Sequence, residues 1–186
     1  QNVVYINDGK GKLTAGPNFG PGTDSTWSVA VGDMDGDGDL DIVTGNRDEQ
    51  NVVYLNDGAG DFTAARNFGT GSDSTWSVAV GDMDGDGDLD IITGNYQQQN
   101  TIYLNDGGGN FTAARNFGIG QYNTQSVAAG DMDGDGDLDI ITGNFAQQNV
   151  VYLNAGGDNF ASARDFGTGS DFTSGVAVGD MDGDGD

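Results

Sequence analysis

The chain contains no cysteine and no histidine among its 186 residues, and it has only 2 prolines and 6 basic residues. The absence of cysteine excludes a disulfide framework, a thiolate metal site and a cysteine nucleophile. The absence of histidine removes the commonest general base and the commonest ligand of transition metals. Apolar runs are only a few residues long, so no segment predicts a transmembrane helix and membrane insertion is not expected.

The charge of the chain is strongly one-sided, because 30 acidic residues against 6 basic ones give a formal net charge of -24. Neither a nucleic-acid partner nor an anionic membrane surface is expected, since both are bound by clustered Lys and Arg. All of the acidic residues except Glu49 are aspartates, so the short carboxylate is favoured. The sequence starts at Gln1 and stops inside a motif, and we therefore expect a processed or trimmed piece.

The sequence repeats itself with a period of 49 residues. The segment SVAVGDMDGDGDLDI at 28–42 recurs unchanged at 77–91, and it recurs with one substitution, Ala129, at 126–140. A fourth copy begins at Val176 and is cut at the last residue. Internal repeats of this length are typical of solenoids and propellers, in which each unit packs on its neighbours.

Each repeat contains four short apolar runs between clusters of Gly, Asp and Asn, and this pattern predicts an antiparallel meander. In the second repeat the predicted strands A, B, C and D cover 27–31, 40–44, 51–55 and 62–68. The Asp-Gly pair between strands C and D predicts a tight hairpin. Strands A and B are almost continuously apolar, so we expect the sheet to be covered on both faces.

A four-stranded sheet that is covered on both faces and recurs about every 40 to 50 residues is typical of a β-propeller blade. We therefore predict an all-β fold of propeller blades with about four repeats. A helical pair in each repeat is disfavoured by the glycine content, and a β-solenoid would need two coils in one repeat whose halves are dissimilar. The predicted boundaries are 1–26 for a partial blade with strands C and D, 27–75, 76–124 and 125–173 for complete blades, and 174–186 for a partial blade with strand A and a truncated loop.

Five aspartates alternate along the loop 33–41 between strands A and B, at positions 1, 3, 5, 7 and 9. Ca²⁺ takes roughly six to eight oxygen ligands, and a loop that curls round the ion delivers alternate side chains to it. Position 6 is Gly38, as in the calcium loop of an EF-hand, whereas position 12 is Thr44 instead of a bidentate Glu. The sequence therefore predicts calcium as the cofactor, with three complete loops and a truncated fourth.

The candidate calcium ligands are the aspartates of these loops. Positions 1, 3 and 5 are expected to offer carboxylates, position 7 its main-chain carbonyl and position 9 a closing carboxylate. The candidates are Asp33, Asp35, Asp37, Asp39, Asp41, Asp82, Asp84, Asp86, Asp88, Asp90, Asp131, Asp133, Asp135, Asp137, Asp139, Asp180, Asp182, Asp184 and Asp186.

Three other interpretations of the loops stay open. A solvated acidic loop would not need strict alternation with Gly at a fixed position, and Mg²⁺ rarely uses a cage made only of protein ligands. Paired catalytic carboxylates are disfavoured, because no nucleophile or base is recognisable beside them and four near-identical copies fit a structural staple better. We therefore expect no enzymatic activity.

The loops and a set of Phe-Gly pairs together resemble FG-GAP or VCBS repeats, the blades of integrin-α-like β-propellers. The pairs are Phe19-Gly20, Phe68-Gly69, Phe117-Gly118 and Phe166-Gly167, and the resemblance covers essentially the whole chain. It implies that the loops bind Ca²⁺ and rigidify blades of a ring, typically with about seven or eight blades. We expect this chain to belong to such a ring or to a longer array.

In a meander the B–C and D–A connections lie at the edge opposite to the calcium loops, and here they differ from repeat to repeat. The candidate ligand-binding residues on these connections are Arg47, Tyr96, Tyr122, Phe145 and Phe172. Loops on a rigid scaffold often carry function, although loops also vary where nothing constrains them. Trp27 and Trp76 open strand A, and we expect them to pack between blades rather than stack on sugars.

The sequence predicts a calcium-binding repeat protein, extracellular or at the cell surface, with a structural or self-assembling role. Its expected partners are other copies of itself or the remainder of a longer chain, because a partial blade offers strand edges that another segment completes. The alternative is a lectin-like or adhesive propeller that binds glycans or extracellular proteins through the edge opposite to the calcium loops.

Overall fold

The computed structural model describes residues 2–181, except the side chains of residues 119 and 121. Within that part of the chain all strand pairs are antiparallel and no helix occurs, so none that could span a membrane is present. The strands are β1 Asn2–Asn7, β2 Leu13–Phe19, β3 Thr26–Gly32, β4 Asp41–Asn46, β5 Asn51–Leu55, β6 Ala64–Phe68, β7 Thr75–Gly81, β8 Asp90–Leu104, β9 Ala113–Gly130, β10 Asp139–Asn144, β11 Asn149–Leu153 and β12 Ser162–Phe166. The prediction of an all-β fold of repeated units is confirmed.

The strands form three sheets in which neighbours along the chain are also neighbours in the sheet. Strands β1 and β2 pair alone, and β3 to β6 form a four-stranded sheet in chain order. Strands β7 to β12 form one six-stranded sheet, because the long strands β8 and β9 each contain two predicted strands and their connection. No closed ring is seen among residues 2–181, so the number of blades and their predicted boundaries stay predictions.

The strands of the second repeat lie close to their predicted positions. Strand C coincides with β5, whereas strand D begins at Ala64 instead of residue 62. Phe62 lies outside the strand and packs on Phe19, with ring centroids 6.1 Å apart. Residues 62 and 63 therefore do not belong to strand D, and Phe62 contacts the preceding repeat instead.

Consecutive units pack with their A strands side by side. The amide of Val78 on β7 donates a 3.0 Å hydrogen bond to Ser28 Oγ on β3. One apolar cluster combines Val43 and Val53 of one unit with Val78 and Ile91 of the next. The same hydrogen bond and a matching cluster recur one repeat later. Each core is therefore shared by two units, and one unit alone would leave its apolar face in water.

The first A strand departs from the prediction that both faces of the sheet are covered. Val29 and Val31 on β3 are 58% and 57% exposed, whereas Val78, the counterpart of Val29 one repeat later, is 7% exposed. The adjacent strand β4 is buried throughout. The difference arises because only the β1–β2 hairpin precedes β3 among the described residues, and it leaves one face of β3 open.

A chain of hydrogen-bonded amide and hydroxyl side chains runs along the edge where the B–C and D–A connections lie. Asn51 Oδ1 accepts a bond from the amide of Asn46, and Asn51 Nδ2 donates a 2.8 Å bond to Thr75 Oγ1. Thr75 Oγ1 in turn donates to Asn95 Oδ1. The members of this Asn–Thr chain are Asn2, Thr26, Asn46, Asn51, Thr75, Asn95, Asn100, Thr124, Asn144, Asn149 and Thr173. A buried polar group without a hydrogen-bond partner costs free energy of folding. The Asn–Thr chain therefore fixes the position of one unit relative to the next.

Candidate functional site

The predicted calcium loops bring their aspartates together in three repeats. In each loop, one carboxylate oxygen from each of three side chains lies within 4.8 Å of the other two. The groups are Asp33, Asp35 and Asp37; Asp82, Asp84 and Asp86; and Asp131, Asp133 and Asp139. Positions 1 and 3 therefore meet in every group, with position 5 in two loops and position 9 in the third. Converging carboxylates of this kind are the ligands that hard cations prefer.

The backbone of the first loop curls round its first aspartate. The amides of Gly36 and Gly38 donate 2.9 Å hydrogen bonds to Oδ1 and Oδ2 of Asp33. The amide of Asp39 donates a 2.9 Å bond to Asp37 Oδ1. Gly38 has a φ of 94°, in the region that favours glycine, so the sharp turn predicted at position 6 is present. The motif thus builds its curved loop from local hydrogen bonds.

The third position of the loop provides a test of whether a cation fits. Asp35 Oδ1 is buried and has no hydrogen-bond partner among the described residues. A buried carboxylate oxygen without a partner is costly, and a cation bound together with Asp33 and Asp37 would satisfy it. In the second loop, burial and then the charge of Asp86 raise the pKa of Asp84. The residues present therefore fit a hard divalent cation.

Position 9 connects each of the first three loops to the C–D hairpin of its own unit. Asp41 is fully buried and accepts 2.8 Å hydrogen bonds from the amides of Met34 and Asn56. Asp90 makes the same two contacts in the next unit, and burial raises its pKa to about 6 in spite of them. The aspartate predicted to close the calcium site thus also joins loop and hairpin, which its spacing alone does not reveal.

The remaining predicted ligands lie apart from the three carboxylate groups. These groups do not include the position 7 aspartates Asp39, Asp88 and Asp137, nor Asp135 at position 5 of the third loop. Asp41 and Asp90, at position 9 of the first two loops, are outside the groups as well. The Asp39 carboxylate packs on Gly58 in the hairpin and leaves no room for a Cβ there. In the fourth loop Asp180 is described, whereas Asp182, Asp184 and Asp186 lie outside the described residues.

The first two loops are also contacted by the hairpin of the following unit, and sequence reasoning missed this contact. Asn105 Nδ2 donates a 2.8 Å hydrogen bond to the carbonyl of Met34, at position 2 of the first loop. Asn154 Nδ2 donates a 2.9 Å bond to the carbonyl of Met83 in the second loop. The partners are 71 residues apart, so the recurrence of Asn after every strand C is the one signal that the sequence offers.

At the opposite edge, two of the predicted ligand residues belong to a stack of side chains. Trp27 and Trp76 pack on each other between consecutive units, with ring centroids 4.8 Å apart, as expected from the sequence. Tyr96 stacks on Trp76 at 4.7 Å, and the guanidinium of Arg47 lies 5.4 Å from the centre of the Trp27 ring. Arg47 and Tyr96 therefore contact the two tryptophans, and Trp27 remains 51% exposed.

The other predicted ligand residues lie in different surroundings. Phe145 and Phe172 pack edge to face with ring centroids 4.7 Å apart, and Phe172 is 70% exposed. Tyr122 lies on β9, at the position that Asp73 occupies one repeat earlier. The five predicted residues therefore do not converge on one site.

A pocket that the sequence did not predict recurs where one unit meets the next. It lies between a D–A connection and strands C and D of the unit that this connection precedes. The first copy has a volume of about 450 Å³ and is lined by Asp24, Gln50, Tyr54, Phe62 and Asn67. The second has about 490 Å³ and is lined by Asp73, Gln99, Tyr103, Phe111 and Asn116, the equivalent residues one repeat later. We call these the junction pockets.

The second junction pocket combines a carboxylate, a phenol, amides and an aromatic ring. Asp73 accepts hydrogen bonds from the amide and the hydroxyl of Thr70, at 2.8 and 2.7 Å, which hold its carboxylate in place. Burial and then the charge of Asp73 raise the pKa of Tyr103 to about 12, so this phenol keeps its proton at neutral pH. The sequence shows Tyr54 and Tyr103 as repeated strand residues, and that pattern points only to a structural role.

Comparisons with known proteins agree with this architecture. The family model of the FG-GAP-like repeat matches residues 1–44, 33–93, 82–142 and 131–186. No curated protein sequence matches the chain. Among solved structures, a lectin of Agrocybe aegerita, whose description is the specific recognition of non-reducing terminal N-acetylglucosamine, superposes with a TM-score of 0.58 at 22% identity. The match covers 88% of this chain and 45% of the lectin, so the chain spans less than half of that protein's length.

Proposed function

Because the chain belongs to the family of FG-GAP-like repeat proteins, we propose that it is a calcium-stapled repeat protein that binds glycans in its junction pockets. The structural likeness to a lectin concerns the fold, and it makes a glycan the first ligand to test. We further propose that the protein acts outside the cell and without catalysis. The lack of histidine and cysteine supports the second of these points.

The recurrence of the junction pocket is the observation that carries the proposal. Both copies are lined by a carboxylate, Asp24 or Asp73, together with a buried tyrosine and a phenylalanine. The two copies share their lining residues because the repeats share their sequence, so one chain offers the same set of side chains at two places. Repeated pockets on one rigid scaffold also let a branched or clustered ligand bind several sites at once, which raises the overall affinity.

The chemistry of the junction pocket suits a pyranose ring. A sugar offers hydroxyl groups that both donate and accept hydrogen bonds, and it has an apolar C–H face. Asp73 accepts from hydroxyl groups, while the side chains of Gln99 and Asn116 carry both donors and acceptors. The ring of Phe111 offers an apolar surface, and binding sites commonly pair such a surface with a few placed polar groups.

Calcium has a structural task in this proposal. Each of the three carboxylate groups binds one Ca²⁺ ion. The ion offsets the repulsion among aspartates whose carboxylate oxygens lie within 4.8 Å of one another. Because Asp41 and Asp90 connect the loops to the hairpins, a filled loop also fixes the hairpin beside it. The junction pockets then lie on units whose relative position is rigid.

The test is calorimetric titration of the full chain with N-acetylglucosamine and with a multivalent glycan carrying it, in millimolar calcium. We expect Asp24→Asn combined with Asp73→Asn to weaken binding about tenfold or more, because a charge-assisted hydrogen bond to the sugar is lost in each pocket. Asp48→Ala is the matched control at the same edge, since Ala146 stands at its position two repeats later with the same backbone conformation. Equal binding by the double variant and the wild type would refute the proposal.

A second candidate function is self-association, and the open face of the first A strand favours it. A groove of about 530 Å³ there is lined by Val3, Tyr5, Phe19, Val29 and Ile42. Tyr5 is 62% exposed, whereas its counterpart Tyr54 is 6% exposed in a complete unit. We propose that a second copy covers this groove. Sedimentation velocity across a hundredfold concentration range tests it, and a monomer throughout would exclude this candidate.

A further inference from the structure

Asn105 and Asn154 each contact two consecutive calcium loops. The amide of Asn105 donates a 2.8 Å hydrogen bond to Asp90 Oδ1 in the loop of its own unit. Its side-chain Nδ2 donates to the carbonyl of Leu89 in that loop and to the carbonyl of Met34 in the preceding loop. One asparagine thus joins two metal sites on different units.

We propose that Asn105 and Asn154 are positioning residues for the calcium site of the preceding unit, so that each loop reaches full affinity only when the next unit is docked on it. The inference rests on the proposed calcium binding. It identifies a residue outside the loop that controls the calcium affinity of that loop. The bond from Asn105 fixes the carbonyl of Met34, which lies between Asp33 and Asp35 in sequence. The two carboxylates on either side are thereby held in their converging arrangement.

The hairpin of the following unit also shields the third position of the loop from water. Gly109, at the tip of that hairpin, packs on Asp35 Cβ and on the carbonyl of Met34, where a Cβ on Gly109 would lie 3.5 Å from either atom. Under this cover Asp35 Oδ1 is buried without a hydrogen-bond partner among the described residues. The following unit therefore excludes water from this carboxylate oxygen, and a bound cation would be its partner.

The third loop provides an internal comparison, because no following hairpin contacts it among residues 2–181. Its position 3 aspartate, Asp133, is exposed, whereas Asp35 and Asp84 are half-buried. Met132 is half-buried, while its counterparts Met34 and Met83 are 0% and 1% exposed. The carboxylate group also differs, since position 9 replaces position 5 in it. The loop without a neighbour is therefore the one whose arrangement changes.

The experiment is a calorimetric calcium titration of the full chain and of two matched variants. Asn105→Ala removes the bond to the preceding loop, and we expect it to weaken one site about tenfold or more, as loss of an outer-shell partner does. Asn56→Ala is the control, because Asn56 makes the same turn bonds to Gly58 and Gly60 and the same bond within its own loop but contacts no preceding loop among residues 2–181. Equal effects of the two variants would overturn the inference.

A double-mutant cycle assigns the weakened site. In a background of Asp35→Asn, which disables the first loop, we expect Asn105→Ala to cause no further loss of calcium affinity. A further loss of the same size would place its effect in the second loop and refute the inference. If Asn105→Ala does not fold, Asn105→Asp retains the turn acceptors, removes the donor to Met34 and is judged by the same criteria. Absence of calcium binding by the wild type would refute the proposed function itself.

Discussion

The calcium-loop edge and the opposite edge of each unit are stabilised by different polar groups. At the loop edge, backbone amides donate to carboxylates such as Asp41, and the aspartates gather negative charge in a small volume. At the opposite edge, the Asn–Thr chain pairs neutral amides and hydroxyls with one another. We therefore expect the stability of the first edge to depend on the cations present, because a bound cation would offset its charge, whereas the pairs of the second edge involve only protein groups.

Removal of calcium is expected to have the largest effect, and it acts on the loop edge alone. At a calcium concentration about 100 times the dissociation constant, each site contributes about 2.7 kcal/mol to the free energy of unfolding. Since 1 kcal/mol corresponds to about 2–4 °C for a chain of this size, we expect a chelator to lower the unfolding temperature by more than about 10 °C. Differential scanning calorimetry with and without a calcium-selective chelator measures this.

Magnesium is the control for that experiment. Excess Mg²⁺ added to the chelated protein is expected not to restore the unfolding temperature, because Mg²⁺ keeps its water and rarely fills a cage made only of protein ligands. Full restoration by Mg²⁺ would mean that the loops are magnesium sites. An unchanged melting curve in the chelator would contradict the proposal that bound calcium stabilises the fold.

Asn100→Ala is expected to have the next largest effect, and it acts on the opposite edge alone. The substitution removes the acceptor of the Asn95 amide and the donor to Thr124 Oγ1, both of them buried. The Asn95 amide loses its acceptor, while Thr124 Oγ1 loses one hydrogen bond and keeps the bond that it donates to Asn144. We expect a cost of about 2–4 kcal/mol, equal in calcium and in chelator. Denaturant unfolding in both conditions measures it. Asn2→Ala is the matched control with a smaller effect, because Asn2 is partly exposed.

Asp84→Asn is expected to have the smallest effect in calcium and to show the opposite behaviour in chelator. With calcium present it disables one site, so we expect a loss of about 2–3 kcal/mol. Without calcium the same change removes a carboxylate whose pKa is raised by burial and by Asp86, so stability should stay equal or increase. Thermal melts of wild type and variant in both conditions measure the difference. A loss of equal size in both would show that Asp84 acts through packing rather than through an ion.

Local patterns in the sequence predict the features that local interactions build. The 49-residue period, the strands and the Asp loops all depend on residues that are close in sequence, such as the Gly36 amide that bonds to Asp33. The contact of Asn105 with Met34 and the junction pockets depend instead on how units stack. Stacking angles are not encoded in any single repeat, so these features appear only in the folded chain.

The predicted ligand residues illustrate the same limit. The variation of the loops indicates Arg47 and Tyr96 as ligand residues, yet they pack against Trp27 and Trp76. The residues of the junction pockets change little between the first two copies, so a search for variable positions passes over them. Asp73 aligns with Tyr122 in the next repeat, and the variation between repeats indicates Tyr122 rather than Asp73 as a ligand residue.

The Asn–Thr chain has a consequence for how the number of units can change in evolution. Its donors and acceptors are separated by the same 5, 20 and 24 residues in each repeat that the structure describes. Unequal recombination between two repeats inserts or deletes a whole period and recreates every one of these pairs at the new joint. The array can therefore lengthen or shorten by complete units without leaving a polar group of the Asn–Thr chain unpaired at the joint.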